Sequence, residues 1–562
     1  MRAIRRHIGA ILTVCALVSL ALGTIGFLAC DPSSGFATAF YRAIQLFYWN
    51  YFPWNTTLEA KIPWTLEVAR WLAPLVTLGA LSRVALSLFQ KHWDSLRARR
   101  LREHVIICGA GEKGATLAAD LRKSGTRVVL IEQDARHSET LGWPGLTVLN
   151  GDATRPELLR QAGAAAASRV VAATGDDHRN LALAMLAAEM GAASVHAHSS
   201  DAALCDLYQR HSAPGSSGRA QVRVFNRFRN VARCAISDFP PDAPEGDCHV
   251  VLPASGPMSL ALVLECALIG QFAGDRRLHL HTVGEDASRQ LQTLQARYPG
   301  LPHCIKLSAM DLPSPHLYSR AVTSLIESQP GKFTVFPDLE SESLAFPRAL
   351  ELLESRRSSS PLQLVIPGSK DSAVRSLALR NPVLSNHIGF LPFPERTCGW
   401  EAVVGESLDR VAKAIHENWL KETRLQIAAA RTAGNEALAS SHEKKATFKP
   451  WEKLSEEQKG ANRSQADHIP FKIRAAGLDP KTATKTAWEK LPDQQVERLA
   501  RMEHARWAAY YWMTGWTFAA DRNDTRKEHP NLVPYDDLNE PTKGYDRLAV
   551  RNVAQYLDAF TS

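Results

Sequence analysis

Two long apolar segments dominate the hydropathy pattern near the N-terminus. Residues 8–30 carry no charged side chain, and residues 71–89 form a second apolar segment in which Arg83 is the single charged residue. A helix of about 20 residues crosses a hydrocarbon core of about 30 Å, so each segment is long enough to span a membrane. A cleaved signal peptide is the alternative for the first segment, but its length and the second segment favour a membrane hairpin.

Basic residues flank this hairpin on one side. Three arginines precede the first apolar segment and five basic residues lie within 91–102, whereas residues 31–66 hold only Arg42 and Lys61. Because basic residues concentrate in cytoplasmic segments, we predict a two-span protein of the bacterial inner (plasma) membrane with both termini in the cytoplasm. The same residues supply most of the net charge of +8, so the basic balance does not indicate nucleic-acid binding.

The loop between the two apolar segments contains an aromatic stretch, residues 39–49. Such a stretch is typical of a pore helix or of an interfacial helix that lies among lipid headgroups. A potassium pore helix is followed by a carbonyl-lined filter of the Thr-Val-Gly-Tyr-Gly kind, and none follows here. We therefore favour the interfacial helix.

Beyond residue 100 the pattern changes to short apolar strands that alternate with helices. The strand at 104–108 leads into Gly109-x-Gly111-x-x-Gly114, an alanine-rich helix and a second strand that stops at Glu132. This is the dinucleotide-binding fingerprint in its required strand–turn–helix context. The glycines permit a tight turn, a close approach of the backbone to a pyrophosphate and close helix packing, and the carboxylate accepts hydrogen bonds from ribose hydroxyls.

Residues 104–236 resemble the nucleotide-binding domain of the RCK/TrkA family. The resemblance rests on the glycine fingerprint, the acidic end of the second strand, the Gly-Asp-Ala-Thr turn at 151–154 and the Thr-Gly-Asp-Asp segment at 174–177. It implies a cytoplasmic regulator of potassium channels or transporters with an adenine nucleotide as regulatory ligand. It also implies that residues 226–236, an amphipathic segment, cross to a partner subunit; an ordinary packing helix is the alternative. By position, the implied nucleotide-binding residues are Gly109, Gly111, Lys113, Gly114, Glu132, Asp152 and Thr174.

Two carboxylates bear on the identity of the nucleotide. Glu132 would repel the 2′-phosphate of NADP(H), which favours NAD(H). Glu112 lies inside the phosphate loop, where its charge opposes that of a phosphate unless Lys113 offsets it. We therefore predict NAD(H), with ATP or ADP as the alternative.

A degenerate copy of the fingerprint follows at a constant offset of 145 residues, at 249–259. Gly256 keeps the second glycine, but Ala254 and Ser259 replace the first and the third. Because the phosphate site needs all three glycines, we predict that residues 247–395 form a second Rossmann-like unit with a structural role.

The chain beyond residue 400 is rich in charged helices and tryptophan. Residues 408–475 and 499–557 are weakly similar to each other, and we predict two half-repeats that pack together. The second one resembles the RyR domain, the repeat of ryanodine receptors, in Met502–Trp507, Gly515–Trp516 and the segment from His529 to Tyr535. The resemblance implies a module that recognises a ligand or partner. It does not imply a catalytic mechanism. The candidate ligand-binding residues are His504, Arg506, Trp516 and Arg547.

The predicted fold is a membrane helical hairpin followed by tandem Rossmann-like doubly wound parallel sheets and an all-α RyR-type module. The predicted boundaries are 1–103 for the hairpin with its basic connector, 104–246 and 247–395 for the two α/β units, and 396–562 for the helical module.

This organisation suggests three classes of function. A homo-oligomeric, membrane-anchored sensor of the RCK type would couple nucleotide and RyR-ligand binding to the hairpin and to ion transport. The alternative is a stress or anti-phage defence effector, triggered by a nucleotide-derived signal that the RyR domain senses. An oxidoreductase is disfavoured because no catalytic grouping accompanies the fingerprint, so we predict no catalytic residue.

The nine cysteines are scattered without metal-ligand spacing, so we predict no metal site.

Overall fold

The computed structural model describes residues 2–50, 62–134, 136, 145–201, 204–205, 207–208, 222–243, 245–274, 276–368, 372–392 and 394–560, with 2–8 and 86–95 described by their backbone alone. The chain divides into two compact units, residues 1–100 and residues 101–562.

The first unit is a helical hairpin. Its helices are α1 (Arg2–Cys30), α2 (Gly35–Gln45) and α3 (Trp64–Arg100). Small residues bring α1 and α3 together: a Cβ on Gly26 would lie 2.8 Å from the backbone nitrogen of Leu66, and the Ser19 hydroxyl donates to the Ala69 carbonyl at 3.2 Å. Close approach through small residues is how helices associate in lipid.

The outward faces of the hairpin are apolar. The stretches Gly9–Cys30 and Trp64–Ala85 are long and apolar enough to cross a membrane. Apolar side chains stand exposed along both helices, as expected where lipid replaces water as the solvent. They are Ile11, Val14, Leu17, Val18 and Ile25 on α1 and Trp71, Leu75, Leu78, Leu81 and Val84 on α3. These features indicate membrane association.

The second apolar segment and the basic connector form one helix. The sequence predicts an apolar span at 71–89 followed by a basic connector, and in the structure α3 runs through both without a break, from Trp64 to Arg100. At a rise of 1.5 Å per residue, its 37 residues are about 55 Å long. Four residues then separate Arg100 from the first strand of the second unit.

The first sheet has six parallel strands in the order β3-β2-β1-β4-β5-β6. This is the Rossmann order, and its topological switch point lies between β1 and β4. The strands are β1 (Val105–Cys108), β2 (Val128–Glu132), β3 (Leu146–Asn150), β4 (Arg169–Ala172), β5 (Val195–His198) and β6 (Val222–Phe225). The helices are α4 (Glu112–Lys123), α5 (Pro156–Gln161), α6 (Asp177–Glu189) and α7 (Arg227–Asp238).

The second sheet repeats this order as β9-β8-β7-β10-β11-β12, again with all strands parallel. The prediction of tandem Rossmann-like sheets is therefore confirmed. The strands are β7 (Cys248–Pro253), β8 (His279–Gly284), β9 (Lys306–Asp311), β10 (Lys332–Val335), β11 (Leu362–Ile366) and β12 (Ile388–Phe390). The helices are α8 (Pro257–Ile269), α9 (Ala287–Arg297), α10 (Leu301–Cys304), α11 (Tyr318–Ser328), α12 (Glu342–Ser355), α13 (Ala373–Arg380) and α14 (Pro382–His387).

The C-terminal region is helical, as predicted, apart from one pair of two-residue strands, β13 (Thr517–Phe518) and β14 (Glu528–His529). The helices are α15 (Pro394–Cys398), α16 (Trp400–Val403), α17 (Arg410–Thr432), α18 (Glu436–Glu443), α19 (Glu456–Ala475), α20 (Lys485–Glu489), α21 (Asp493–Met513) and α22 (Glu540–Asn552).

The second sheet and the helical region share one hydrophobic core. Phe272, which follows α8, stacks on Phe471 of α19 with ring centroids 6.2 Å apart. The ring of His468 bonds through Nε2 to the Gln271 carbonyl at 2.9 Å. The second α/β unit thus serves as a packing platform for the helical region.

Helix α7 joins three parts of the second unit. It packs along α8 of the second sheet. The Asn230 amide donates to the Thr397 carbonyl at 2.9 Å, and Arg233 bonds to Asp409 at 2.9 Å and to Asp467 at 2.7 Å. The amphipathic segment at 226–236 is therefore a packing helix within its own chain.

Candidate functional site

The glycine loop lies at the carboxyl end of β1, beside the switch point. Gly109 has a φ of +102°, and a Cβ there would lie 3.0 Å from the backbone of Thr174. A Cβ on Gly114 would lie 1.8 Å from the Gly109 carbonyl oxygen. The turn and the helix packing therefore require both of these glycines.

Gly111 differs from its two neighbours in the fingerprint. It is the N-cap residue of α4 in an extended conformation, and among the described residues no atom lies within 4 Å of the position its Cβ would take. The chain's own packing therefore does not require glycine here. A free helix N-terminus beside open space suits a phosphate, which approaches backbone N–H groups closely.

Glu132 reaches back to the same loop from the end of β2. Its carboxylate accepts hydrogen bonds from the backbone N–H of Ala110 and, at 2.9 Å, from that of Asp134. An ionised carboxylate has about four acceptor positions, so this group retains capacity for ribose hydroxyls.

Asp152 and Thr174 follow β3 and β4, which lie on opposite sides of the β1–β2 pair in the sheet. The Asp152 carboxylate accepts from the backbone N–H and hydroxyl of Thr154 at 3.0 and 2.8 Å, and these hydrogen bonds lower the pKa of Asp152. The Thr174 hydroxyl donates to the Asn180 side chain at 2.7 Å. The parallel sheet thus brings the predicted residues to one edge, where both of these side chains support turns.

Lys113 does not offset Glu112. Its ammonium donates to the Thr174 carbonyl and contacts Nδ1 of His198, both at 2.9 Å, and burial lowers its pKa. Glu112 instead pairs with Arg227 at 2.6 Å. Sequence reasoning missed Arg227; the available signal was its position directly after the last strand of the sheet, at the same carboxyl edge.

A second candidate site lies in the helical region. A cavity of about 490 Å³ opens between helices of the two predicted half-repeats. Trp419 from the first half-repeat and Trp507, Tyr511 and Tyr545 from the second line it. Such aromatic walls with polar groups between them are typical of small-molecule sites.

The two half-repeats make equivalent contacts. His416 bonds through Nε2 to the Lys449 carbonyl at 2.8 Å, and His504 bonds through Nε2 to the Val533 carbonyl at 2.9 Å. Likewise Arg463 pairs with Asp409 and Glu456, whereas Arg547 pairs with Glu497 and Glu540. The cavity is therefore bounded by two similarly built halves.

The structure brings only part of the predicted RyR ligand set together. His504 and Arg506 line the cavity, but Trp516 and Arg547 do not. Trp516 packs edge-on against Tyr511, and Arg547 is occupied by two carboxylates. Conversely Trp507, which is not among the candidate ligand-binding residues, lines the cavity. The sequence pattern does not distinguish a cavity wall from a packed interior.

Buried charged residues line part of the cavity. Glu503 of α21 contacts Lys472 of α19 and accepts from Arg506 at 2.9 Å. Burial would raise the pKa of Glu503, but the two cations outweigh it and hold the pKa at about 2.

Replacement of Glu503 by Gln should destabilise the helical region by about 3–5 kcal/mol, because two buried cations lose their partner. Since the folded pKa of Glu503 lies below its unfolded value of about 4.3, the carboxylate contributes stability above that value. This contribution falls as the pH drops towards about 2. Denaturant titration of the full chain followed by tryptophan fluorescence measures both effects. Glu489→Gln, on an exposed pair with Lys485, is the control, and equal midpoints for the two variants would contradict the expectation.

The described residues contain no group of three or more His, Cys, Asp or Glu side chains placed to hold a metal ion. All nine cysteines are free, and the seven from Cys108 onwards are buried. Burial raises the pKa of Cys108 to about 12 and of Cys304 to about 12, which keeps these thiols protonated.

Two segments of the chain match known protein families. Residues 105–214 match the TrkA-N domain, and residues 482–561 match the RyR domain. The chain therefore contains a TrkA-N domain and an RyR domain, as the sequence motifs predict.

Among curated relatives, the glutathione-regulated potassium-efflux system protein KefC of Enterobacter sp. (strain 638) is 45% identical over 85 residues, which cover 15% of this chain and 14% of KefC. KefC of Escherichia fergusonii is 35% identical over 126 residues, 22% of this chain and 20% of KefC. The chain thus spans no more than a fifth of the length of these relatives.

Among solved structures, GsuK bound to ADP aligns over 69% of this chain and 94% of its own, with 14% identity and a TM-score of 0.35. The GsuK channel bound to NAD aligns over 68% and 84%, with 12% identity and a TM-score of 0.29. Identities and TM-scores this low carry no argument of their own, so the fold is assigned from the strand order of the two sheets.

Proposed function

We propose that this protein is a membrane-anchored sensor of the RCK type, which regulates potassium transport in response to an adenine nucleotide. One observation carries the proposal. The helix α3 begins as a candidate membrane span, and only four residues and the strand β1 separate its end from a glycine loop that suits a phosphate. A nucleotide site so close in the chain to a membrane segment suits regulation better than catalysis.

The curated relatives support this assignment. Both relatives described above are named as glutathione-regulated potassium-efflux system proteins, and the chain has a TrkA-N match at residues 105–214. The protein would lie in the bacterial inner membrane with both termini in the cytoplasm, because basic residues flank the hairpin on one side. One hairpin does not enclose a pathway, so regulation of flux calls for a homo-oligomer held by residues 104–395.

The aromatic cavity favours a second candidate function. Its two tryptophans, Trp419 and Trp507, offer flat apolar surfaces, and Lys445 and Arg522 also line it. A nucleotide-derived signal combines a flat base with anionic groups and would use both features. In this reading the protein is a stress or anti-phage defence effector whose RyR domain senses that signal. Trp507→Ala should then abolish the response to the signal and leave nucleotide binding at the glycine loop unchanged.

The proposed nucleotide is NAD(H) rather than NADP(H). Calorimetry on the detergent-solubilised full chain should show NADH binding about tenfold more tightly than NADPH, because Glu132 repels a 2′-phosphate. Glu132→Gln should narrow the ratio of the two affinities because it removes the charge; the ratio is the readout, since the amide keeps only one of the two oxygens that accept from Ala110 and Asp134. Tighter binding of NADPH to the unaltered protein would contradict the assignment.

A further inference from the structure

Side chains of this protein cover the carboxyl ends of β4 and β5. The Lys113 side chain extends from the start of α4 to His198 at the end of β5, passing the Thr174 carbonyl after β4. His198 is itself buried, and the Asp177 carboxylate lies 3.5 Å from its Nδ1. In a Rossmann sheet the first mononucleotide lies over the β1–β3 half and the second over the half that begins with β4.

An ion pair closes over the same two strand ends. Glu112 opens α4, directly after the strand β1 and its loop, whereas Arg227 opens α7, directly after β6. Because β4 and β5 lie between β1 and β6 in the sheet, the 2.6 Å contact between Arg227 Nη1 and Glu112 Oε2 spans both ends. We call this pair the latch.

We propose that the latch selects between classes of nucleotide: a dinucleotide must open it, and a mononucleotide binds without doing so. The inference rests on the proposed function, because it assumes that the glycine loop holds a nucleotide. A mononucleotide needs the loop and Glu132, which lie on the β1–β3 side and remain accessible with the latch closed. The second ribose and base of a dinucleotide need the space above β4 and β5, which the latch spans.

The latch is weak enough to open. Its side chains are 31% (Arg227) and 58% (Glu112) exposed, and a pair this accessible to water contributes little stability and is screened by salt. Opening it acts on α7, whose Arg233 is bonded to Asp409 and Asp467 of the helical region. Dinucleotide binding therefore changes a contact of the helix that joins the nucleotide unit to the helical region.

The test is calorimetry of ADP and NADH on the full chain, unaltered and with E112Q or R227Q. The measured quantity is the ratio of the two dissociation constants. Loss of the latch should tighten NADH relative to ADP by about fivefold in both variants at low ionic strength. R551Q, which removes the exposed 2.8 Å pair of Arg551 with Asp493, is the matched control and should leave the ratio unchanged.

The two variants together separate the latch from simple charge effects. R227Q removes a positive charge and E112Q a negative one, so a charge effect alone would shift the ratio in opposite directions, whereas loss of the latch tightens NADH relative to ADP in both. Opposite shifts in the two variants would therefore contradict the latch. If R227Q weakens NADH more than ADP, or if either variant leaves the ratio unchanged, the latch proposal is wrong and ADP binding still supports the proposed function. If the unaltered protein binds neither ADP nor NADH, the proposed function is wrong and the latch proposal, which rests on it, is wrong as well.

Discussion

A protein carrying Gly111→Ala should bind NADH and ADP on the order of 100-fold more weakly than the unaltered chain. The reason is the open space at this position, where an added Cβ meets no described atom of the protein. It would instead meet the pyrophosphate, which has to approach the backbone at this glycine. Calorimetry on the solubilised full chain measures the loss.

The same substitution should leave the melting temperature nearly unchanged, because nothing in the described structure has to move. Gly544→Ala provides the matched control, since its Cβ position in α22 is equally open but lies outside the nucleotide unit. Gly114→Ala provides the opposite control and should unfold the unit, as its Cβ would overlap the Gly109 carbonyl. Retention of nucleotide affinity by Gly111→Ala would place the ligand elsewhere.

Insertion of a flexible Gly/Ser segment after Arg100 should abolish nucleotide-dependent flux and leave nucleotide affinity intact. The helix α3 is continuous to Arg100, and only four residues lead from there to β1, the strand that ends at the glycine loop. We expect a connection this short to transmit a displacement, whereas a flexible insert would absorb it. The nucleotide biases the hairpin only if its affinity differs between two assembled states.

Proteoliposome flux assays, run alongside calorimetry, test this expectation. The same insert placed after Gly434, in the exposed turn between α17 and α18, is the control and should preserve the nucleotide response. Preserved coupling in the Arg100 insert would show that the signal reaches the hairpin by another route. Loss of nucleotide affinity in that insert would show that the connection supports the site itself.

Much of the fold could be predicted from the sequence because local and global signals agree. Apolar runs such as Val105–Cys108, which a glycine turn and the helix α4 follow, recur in the second α/β unit, and the two sheets have the same strand order. The glycine fingerprint and the acidic end of β2 lie on adjacent strands, so the sequence alone indicates that they are close together. Contacts within one βαβ unit are fixed by short connections.

The missed features depend on contacts between distant segments. Arg227 and Glu112 are 115 residues apart in the chain, so no local sequence pattern indicates that they are in contact. Trp507 and Trp516 both lie in the second predicted half-repeat, yet of these two only Trp507 lines the cavity. Hydropathy marks where the apolar segment of α3 ends and gives no sign of where the helix itself ends.

The most direct test of the central claim is potassium flux through the purified full-length protein in liposomes, measured with and without NADH. The proposed function predicts flux that changes when NADH is added and a Gly111→Ala protein that shows no such change although it is assembled equally well. A flux that is the same at every nucleotide concentration, in a protein that calorimetry shows to bind NADH, would contradict the claim that the nucleotide unit regulates transport.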